Sequence, residues 1–259
     1  MSTPLPRERI AAAIRTAAAR GEPALVAFLT AGYPRKERFR EHLAAVAAGA
    51  DVVEIGVPFT DPMADGVTIQ RSSREALAQG VSLSWIFQEL RAAPRPAAPL
   101  LLMSYLNPLL AFGLDELPQA AAKAGVSGFI IPDLPFEESA DMRAALEPVG
   151  LALVQLVTPV TPPARLAMLC KASQGFVYAV TMTGTTGKNV AVPEEVVEYM
   201  QRVKAVSPIP VCAGFGIRSR EQVERMGPSV DGVVVGSALV EVLERGEDPA
   251  AFLRGLKAP

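Results

Sequence analysis

Asp51-Val52-Val53-Glu54-Ile55-Gly56-Val57 runs directly into Pro58-Phe59-Thr60-Asp61-Pro62-Met63-Ala64-Asp65-Gly66. A short β-rich run followed by a Pro- and Asp-rich stretch reads as a strand and the loop that leaves it. Seven further runs of the same kind lie along the chain: Ala24–Thr30, Leu100–Tyr105, Gly128–Pro132, Leu151–Thr158, Gly175–Val180, Ile209–Cys212 and Gly232–Val235. Between them come segments of helical period, including Lys36–Ala48, Leu114–Ala124, Glu137–Leu146, Pro163–Ala172, Pro193–Val206 and Glu221–Met226. Start signals such as Pro193-Glu194-Glu195 and stop glycines such as Gly49, Gly125, Gly150 and Gly227 bound these helices.

Strands alternating with helices make βα units and a parallel sheet covered on its faces. No Gly-x-Gly-x-x-Gly follows the first strand, so a closed (β/α)8 TIM barrel fits better than an open doubly wound sheet. No linker divides the 259 residues, which predicts a single TIM-barrel domain over 1–259. Pro6 to Arg20 reads as an extra N-terminal helix, and the loops after strands 2 and 6 are elongated. In such a barrel, extra length after a strand falls on the C-terminal face, where active sites are built.

Composition narrows the chemistry. The chain has 25 Lys+Arg against 27 Asp+Glu, which gives no polybasic surface for nucleic acid. It holds 1 His and 2 Cys, too few for a His-rich metal site or a disulfide framework, so no metal is expected. Cys170 and Cys212 read as small buried hydrophobes, and reduced thiols fit a cytoplasmic protein. The N-terminus lacks a signal-like apolar block, and the apolar stretch Leu100 to Phe112 is interrupted by Ser104, Asn107 and Pro108, so no membrane association is expected.

Acid–base work is left mainly to carboxylates, Tyr or Lys. Period-2 alternation sends Val53, Ile55 and Val57 to one side of their strand and Val52, Glu54 and Gly56 to the other. The three branched residues suit the helix-facing side, which points Glu54 into the barrel. An inward carboxyl either pairs with a cation or has its pKa raised by desolvation, and no inward Lys or Arg stands in the eight runs. Asp65, eleven residues on, reads either as a helix cap before Gly66 or as a second acid converging on the same ligand.

Glycines mark the ends of the last three strands: Thr185-Thr186-Gly187, Gly214-Phe215-Gly216-Ile217, and Gly236-Ser237-Ala238 opening the last helix. Close backbone approach and a free helix N-terminus suit a phosphorylated substrate. Lys188 is either a phosphate contact or a solvated loop lysine. His42, within Arg40-Glu41-His42-Leu43, reads as a surface residue, and Trp85 and Phe87 as core or interface.

Several of these stretches resemble one family. They are Phe28-Leu29-Thr30-Ala31-Gly32-Tyr33-Pro34, Val53 through Gln70, Tyr105-Leu106-Asn107-Pro108, Pro132-Asp133-Leu134-Pro135 and Gly214-Phe215-Gly216-Ile217. Together they are similar to the alpha subunit of tryptophan synthase, end to end. The resemblance implies a carbon–carbon lyase that cleaves indole-3-glycerol phosphate to indole and glyceraldehyde 3-phosphate, the indole-3-glycerol-phosphate aldolase reaction in aromatic amino-acid biosynthesis. It implies a beta subunit in an α2β2 heterotetramer that carries pyridoxal phosphate (PLP) and joins indole to serine, with no cofactor in this chain. Glu54 and Asp65 are then the catalytic pair. Phe28, Met103, Tyr105, Ile130 and Tyr178 line the indole pocket, and Gly187, Phe215, Gly216, Gly236 and Ser237 hold the phosphate. Thr186 sits on a lid loop and bonds Asp65. The loop Thr181–Asn189 keeps the family's Thr186-Gly187, whereas its flanking residues differ. A free-standing indole-3-glycerol phosphate lyase and a silent barrel that only activates a beta subunit are the alternatives.

Overall fold

The computed structural model describes residues 4–181, 192–214 and 216–257. Eight parallel strands close in sequential order into one barrel. They are β1 Ala24–Thr30, β2 Val52–Gly56, β3 Leu100–Met103, β4 Val126–Ile130, β5 Ala152–Val157, β6 Val177–Val180, β7 Val211–Gly214 and β8 Gly232–Val235. Around them lie α1 Pro6–Ala19, α2 Phe39–Gly49, α3 Val67–Ala78, α4 Leu83–Ala92, α5 Leu106–Phe112 and α6 Leu117–Lys123. The circuit continues with α7 Ala140–Leu146, α8 Pro163–Ala172, α9 Glu194–Val206, α10 Arg220–Met226, α11 Ser237–Glu244 and α12 Pro249–Leu256.

The (β/α)8 expectation therefore holds, with local corrections. β4 starts and ends two residues before its expected span, because Val126 and Ser127 already belong to the strand ahead of Gly128, and β7 starts and ends two residues after its expected span, because Ala213-Gly214 continue it. The long passage from β2 to β3 contains two helices, and Ser82 caps the second by accepting from the Trp85 N–H at 3.2 Å. Gly236-Ser237-Ala238 opens α11, which is not the last helix, since α12 follows it.

Two apolar layers hold the barrel. Val53, Ile55 and Val57 join the outer layer between strands and helices, as their alternation predicts. Val26, Val52, Leu101, Ala152, Phe176 and Cys212 fill the interior. Helix α1 closes the N-terminal end, where Ile10, Ile14 and Ala17 pack into that interior filling. Charges on the rim secure the closure. Arg7 donates to Glu147 from Nη1 and Nη2 at 2.6 and 2.9 Å. Asp51 collects Arg20 at 3.0 Å, Lys257 at 2.9 Å and the Leu25 N–H at 2.9 Å.

His42 is 5% exposed, contrary to the surface reading. Phe39, His42, Leu43 and Val46 form one buried stripe of α2, and the charged neighbours Arg40 and Glu41 point away from it. Burial holds the imidazole below its ordinary pKa. Trp85 and Phe87 pack as expected, with Trp85 against Phe39 at 5.4 Å between ring centroids and Phe87 fully buried.

Gly128 shows how tightly the strands are apposed. It pairs with Ala152, and a Cβ built on it would fall 2.5 Å from the Ala152 Cβ and 2.7 Å from its carbonyl oxygen. Backbone cannot yield as a side-chain tip can, so Gly128→Ala is expected to destabilise the barrel by roughly 1–3 kcal/mol or more, read from the midpoint of urea unfolding. An unchanged midpoint would show that β4 and β5 can part without cost.

Candidate active site

The barrel mouth holds a cavity of about 240 Å³ whose walls include Phe28, Glu54, Asp65, Met103 and Tyr178, with Gly216, Gly236 and Ser237 at its rim. These residues come from several different strand ends. Phe28 is on β1, Glu54 on β2, Met103 on β3, Tyr178 on β6, and Gly236 and Ser237 follow β8. Two strand glycines make room for the aromatic walls. A Cβ on Gly56 would lie 2.4 Å from the Phe28 ring, and one on Gly214 would lie 2.5 Å from the Tyr178 ring.

Glu54 is 0% exposed, and neither carboxyl oxygen has a hydrogen-bond partner among the described residues. Phe28 and Leu101 flank it on the neighbouring strands. Desolvation, reinforced by the negative charge of Asp65, pushes its pKa up to about 8. The group is thus a protonated acid at neutral pH, held in an apolar wall and facing the cavity.

Asp65 stands on the loop between β2 and α3. Desolvation raises its pKa to about 6, opposed by the Tyr105 hydroxyl, which donates to its Oδ2 at 3.2 Å. Tyr105 also accepts from the Ala64 N–H at 2.8 Å and stacks on Phe59 at 5.2 Å, so one aromatic residue fixes the tip of this loop. Neither the hydrogen bond nor the stack was read from the sequence, because both join residues about forty positions apart.

Of the other expected pocket residues, Tyr105 lines an adjoining crevice with Phe28, Asp65, Ile69 and Met103. Ile130 is fully buried in the interior filling and does not line the mouth cavity. Thr186, Gly187, Lys188 and Phe215 lie outside the described residues. Leu156, Val180 and Val234 also form the wall and were not singled out from sequence, although period two turns them inward on β5, β6 and β8. No Lys or Arg lines the cavity among the described residues, and Gly236 is the N-cap of α11, so an anion there would meet N–H groups and the positive end of the helix dipole. No group of three or more His, Cys, Asp or Glu side chains suited to a metal occurs among the described residues. No helix among them is long and apolar enough to cross a membrane.

A closed parallel barrel with two perturbed carboxyl groups at its C-terminal mouth defines a class, the acid–base enzymes of the (β/α)8 fold. Comparison with known proteins narrows it. The family profile described as tryptophan synthase alpha chain matches residues 14–257. A tryptophan synthase alpha chain from Solidesulfovibrio magneticus is 47% identical over 242 residues, covering 93% of this chain and 94% of its own. One from Nitratidesulfovibrio vulgaris is 45% identical over 248 residues, covering 95% and 96%. Among solved structures, Mycobacterium tuberculosis tryptophan synthase superposes with a TM-score of 0.88 at 37% identity, with 96% of each chain covered. The alpha subunit from Legionella pneumophila gives 0.86 at 31% identity, again with 96% of each chain covered.

This chain belongs to the tryptophan synthase alpha chain family. The reaction of that subunit is the retro-aldol cleavage of indole-3-glycerol phosphate to indole and glyceraldehyde 3-phosphate, a carbon–carbon lyase step of tryptophan biosynthesis, and the family implies a beta-subunit partner.

The burial of Glu54 has a measurable cost in stability. Below about pH 4.5 the carboxyl is protonated in folded and unfolded chains alike; between there and about pH 8 only the unfolded chain releases the proton, so stability falls. The loss across that window is roughly 3–5 kcal/mol for an unbound site. Denaturant melts of Glu54→Gln are expected to gain on the parent protein steadily between those two pH values and to show no further gain above them. Parallel pH curves for the two proteins would refute the raised pKa.

Proposed function

We propose that Glu54 carries both proton transfers of the cleavage and that Asp65 supports the ring through the charged intermediate. The observation that carries this reading is a fully buried, unpartnered carboxyl facing a second acid in one cavity. The protonated Glu54 delivers its proton to indole C3, which leaves the ring as a cationic indolenine-like species. The carboxylate so formed removes the proton from the chain hydroxyl on the adjoining carbon. As the aldehyde forms, the carbon–carbon bond breaks, its electron pair returns to the ring, and Glu54 ends protonated as it began. Asp65, mostly ionised at neutral pH, accepts from the indole N–H and is best placed when that nitrogen carries positive charge.

In the same reading Phe28, Met103, Tyr105 and Tyr178 enclose the indole, with Ile130 supporting them from below. The phosphate takes N–H groups at Gly216, Gly236 and Ser237, and Gly187 and Phe215 belong to the same assignment. Thr186, outside the described residues, is assigned to the lid by the family resemblance. Every transfer runs between side chains and substrate, so no cofactor is assigned to this chain, and PLP chemistry is assigned to the beta subunit. The partner assembly is α2β2 in the cytoplasm. Met63 on the loop beside Asp65 and Val67 at the start of α3, 90% and 80% exposed, present apolar surface at the mouth where such a partner would seat.

Four measurements test these assignments. Glu54→Gln is expected to abolish indole release, by about 10²-fold or more, with circular dichroism unchanged. Parent-like turnover in that variant would remove Glu54 from the mechanism. The pH profile of kcat/KM is expected to be bell-shaped, rising through about 6 as Asp65 ionises and falling through about 8 as Glu54 loses its proton. Asp65→Asn is expected to lose most activity and the acid limb while still binding glycerol 3-phosphate; failure to bind would mark Asp65 as structural. Indole release by the lone chain should rise when beta subunit is added, whereas an equal rate without it would favour a free-standing lyase.

A further inference from the structure

Three segments at the barrel mouth converge on one carboxylate that does not line the cavity. Arg218, two residues beyond Gly216, donates from Nη1 and Nη2 to the two carboxyl oxygens of Glu241 at 2.8 and 2.9 Å. Thr68, three residues beyond Asp65 and in the first turn of α3, donates from Oγ1 to Glu241 Oε1 at 3.3 Å. Glu241 itself lies four residues beyond Ser237, one turn along α11. Each attachment therefore sits a short step behind a residue at the cavity rim.

The surroundings give this junction stiffness. Ile69 of α3 packs with Phe28 and Val240 beside the bridge. One turn further on, Arg71 of α3 donates to Glu244 of α11 at 2.5 Å. The side chains of Arg218 and Glu241 are only 24% and 26% exposed. A bidentate, half-buried pair fixes orientation in a way that a solvated surface pair does not.

We propose that Glu241 is a positioning residue that holds the Asp65 loop, the Gly216 loop and the N-terminus of α11 in one arrangement, coupling occupation of the phosphate end of the cavity to the placement of Asp65 at the indole end. The proposal rests on the reading that α11 receives the phosphate. An anion seated on Ser237 sets α11, a rigid helix carries that setting one turn to Glu241, and Glu241 transmits it to α3 through Thr68. Neither Glu241 nor Arg218 lines the cavity, so their removal disturbs geometry and leaves the cavity's own side chains in place.

Thr68→Val and Arg218→Gln test this, singly and together, with Arg218→Lys as the conservative variant. Indole-3-glycerol phosphate cleavage gives kcat and KM, and calorimetry with glycerol 3-phosphate gives affinity at the phosphate end. Each single change is expected to lower kcat/KM about tenfold, with KM raised and kcat lowered, and Arg218→Gln to weaken glycerol 3-phosphate. The double variant is expected to lose no more than the worse single one, because both act through Glu241. Arg218→Lys should recover part of the loss. Losses that multiply in the double variant, or variants with lower melting temperature and unchanged kcat and KM, would overturn the coupling. A parent protein that cleaves the substrate yet fails to bind glycerol 3-phosphate would instead refute the phosphate assignment on which it rests.

Discussion

An uncharged acid inside an apolar barrel is the constraint from which the rest of the site follows. Glu54 can occupy β2 without a partner because burial keeps it protonated, whereas an ionised carboxylate in the same wall would be several kcal/mol less favourable. The interior around it is filled by Val, Leu, Ala, Phe and Cys side chains, and among the described residues no Lys or Arg lines the cavity it faces. Nearby Tyr178 and Cys212 are likewise held neutral by burial, their pKa values well above the ordinary ones, with the Glu54 carboxylate contributing to both. The Glu54 proton thus sits among groups that stay neutral beside it.

Stability and chemistry occupy opposite ends of the barrel. At the N-terminal end, α1 and the charges gathered by Asp51 close the structure. At the C-terminal end the strands finish in residues chosen for space: Gly56 beneath Phe28 and Gly214 beneath Tyr178. The loops beyond them are shaped by long-range contacts, of which Tyr105 on Asp65 is the most direct.

Regular periodicity made much of this legible in the sequence. β1 and β8 end where their apolar runs end, and the alternation through Val53, Glu54 and Ile55 places the acid inside before any neighbour is known. Signals failed where one residue carried two meanings. Gly128 reads as a strand start yet lies mid-strand, because only glycine lets β4 approach Ala152. His42 was hidden by charged neighbours, although its spacing from Phe39 and Val46 marks the buried stripe. Asp65 was open between a cap and an acid, since nothing local distinguishes them; its bond to Tyr105 and its shared cavity with Glu54 do. Glu241 carried no signal at all, for its partners come from three separate parts of the chain.

The floor made by α1 has a kinetic meaning as well as a mechanical one. Among the described residues, Ile10, Ile14 and Ala17 pack into the interior from the far end, and the opening that Glu54 faces is the mouth cavity. Substrate bound in that mouth stands between the acid and solvent. On the proposed assignment of both proton transfers to Glu54, the site is a closed system for hydrogen during a turnover: the atom delivered to the ring and the atom taken from the hydroxyl are exchanged within the complex, and isotopic mixing with the medium waits for product to leave.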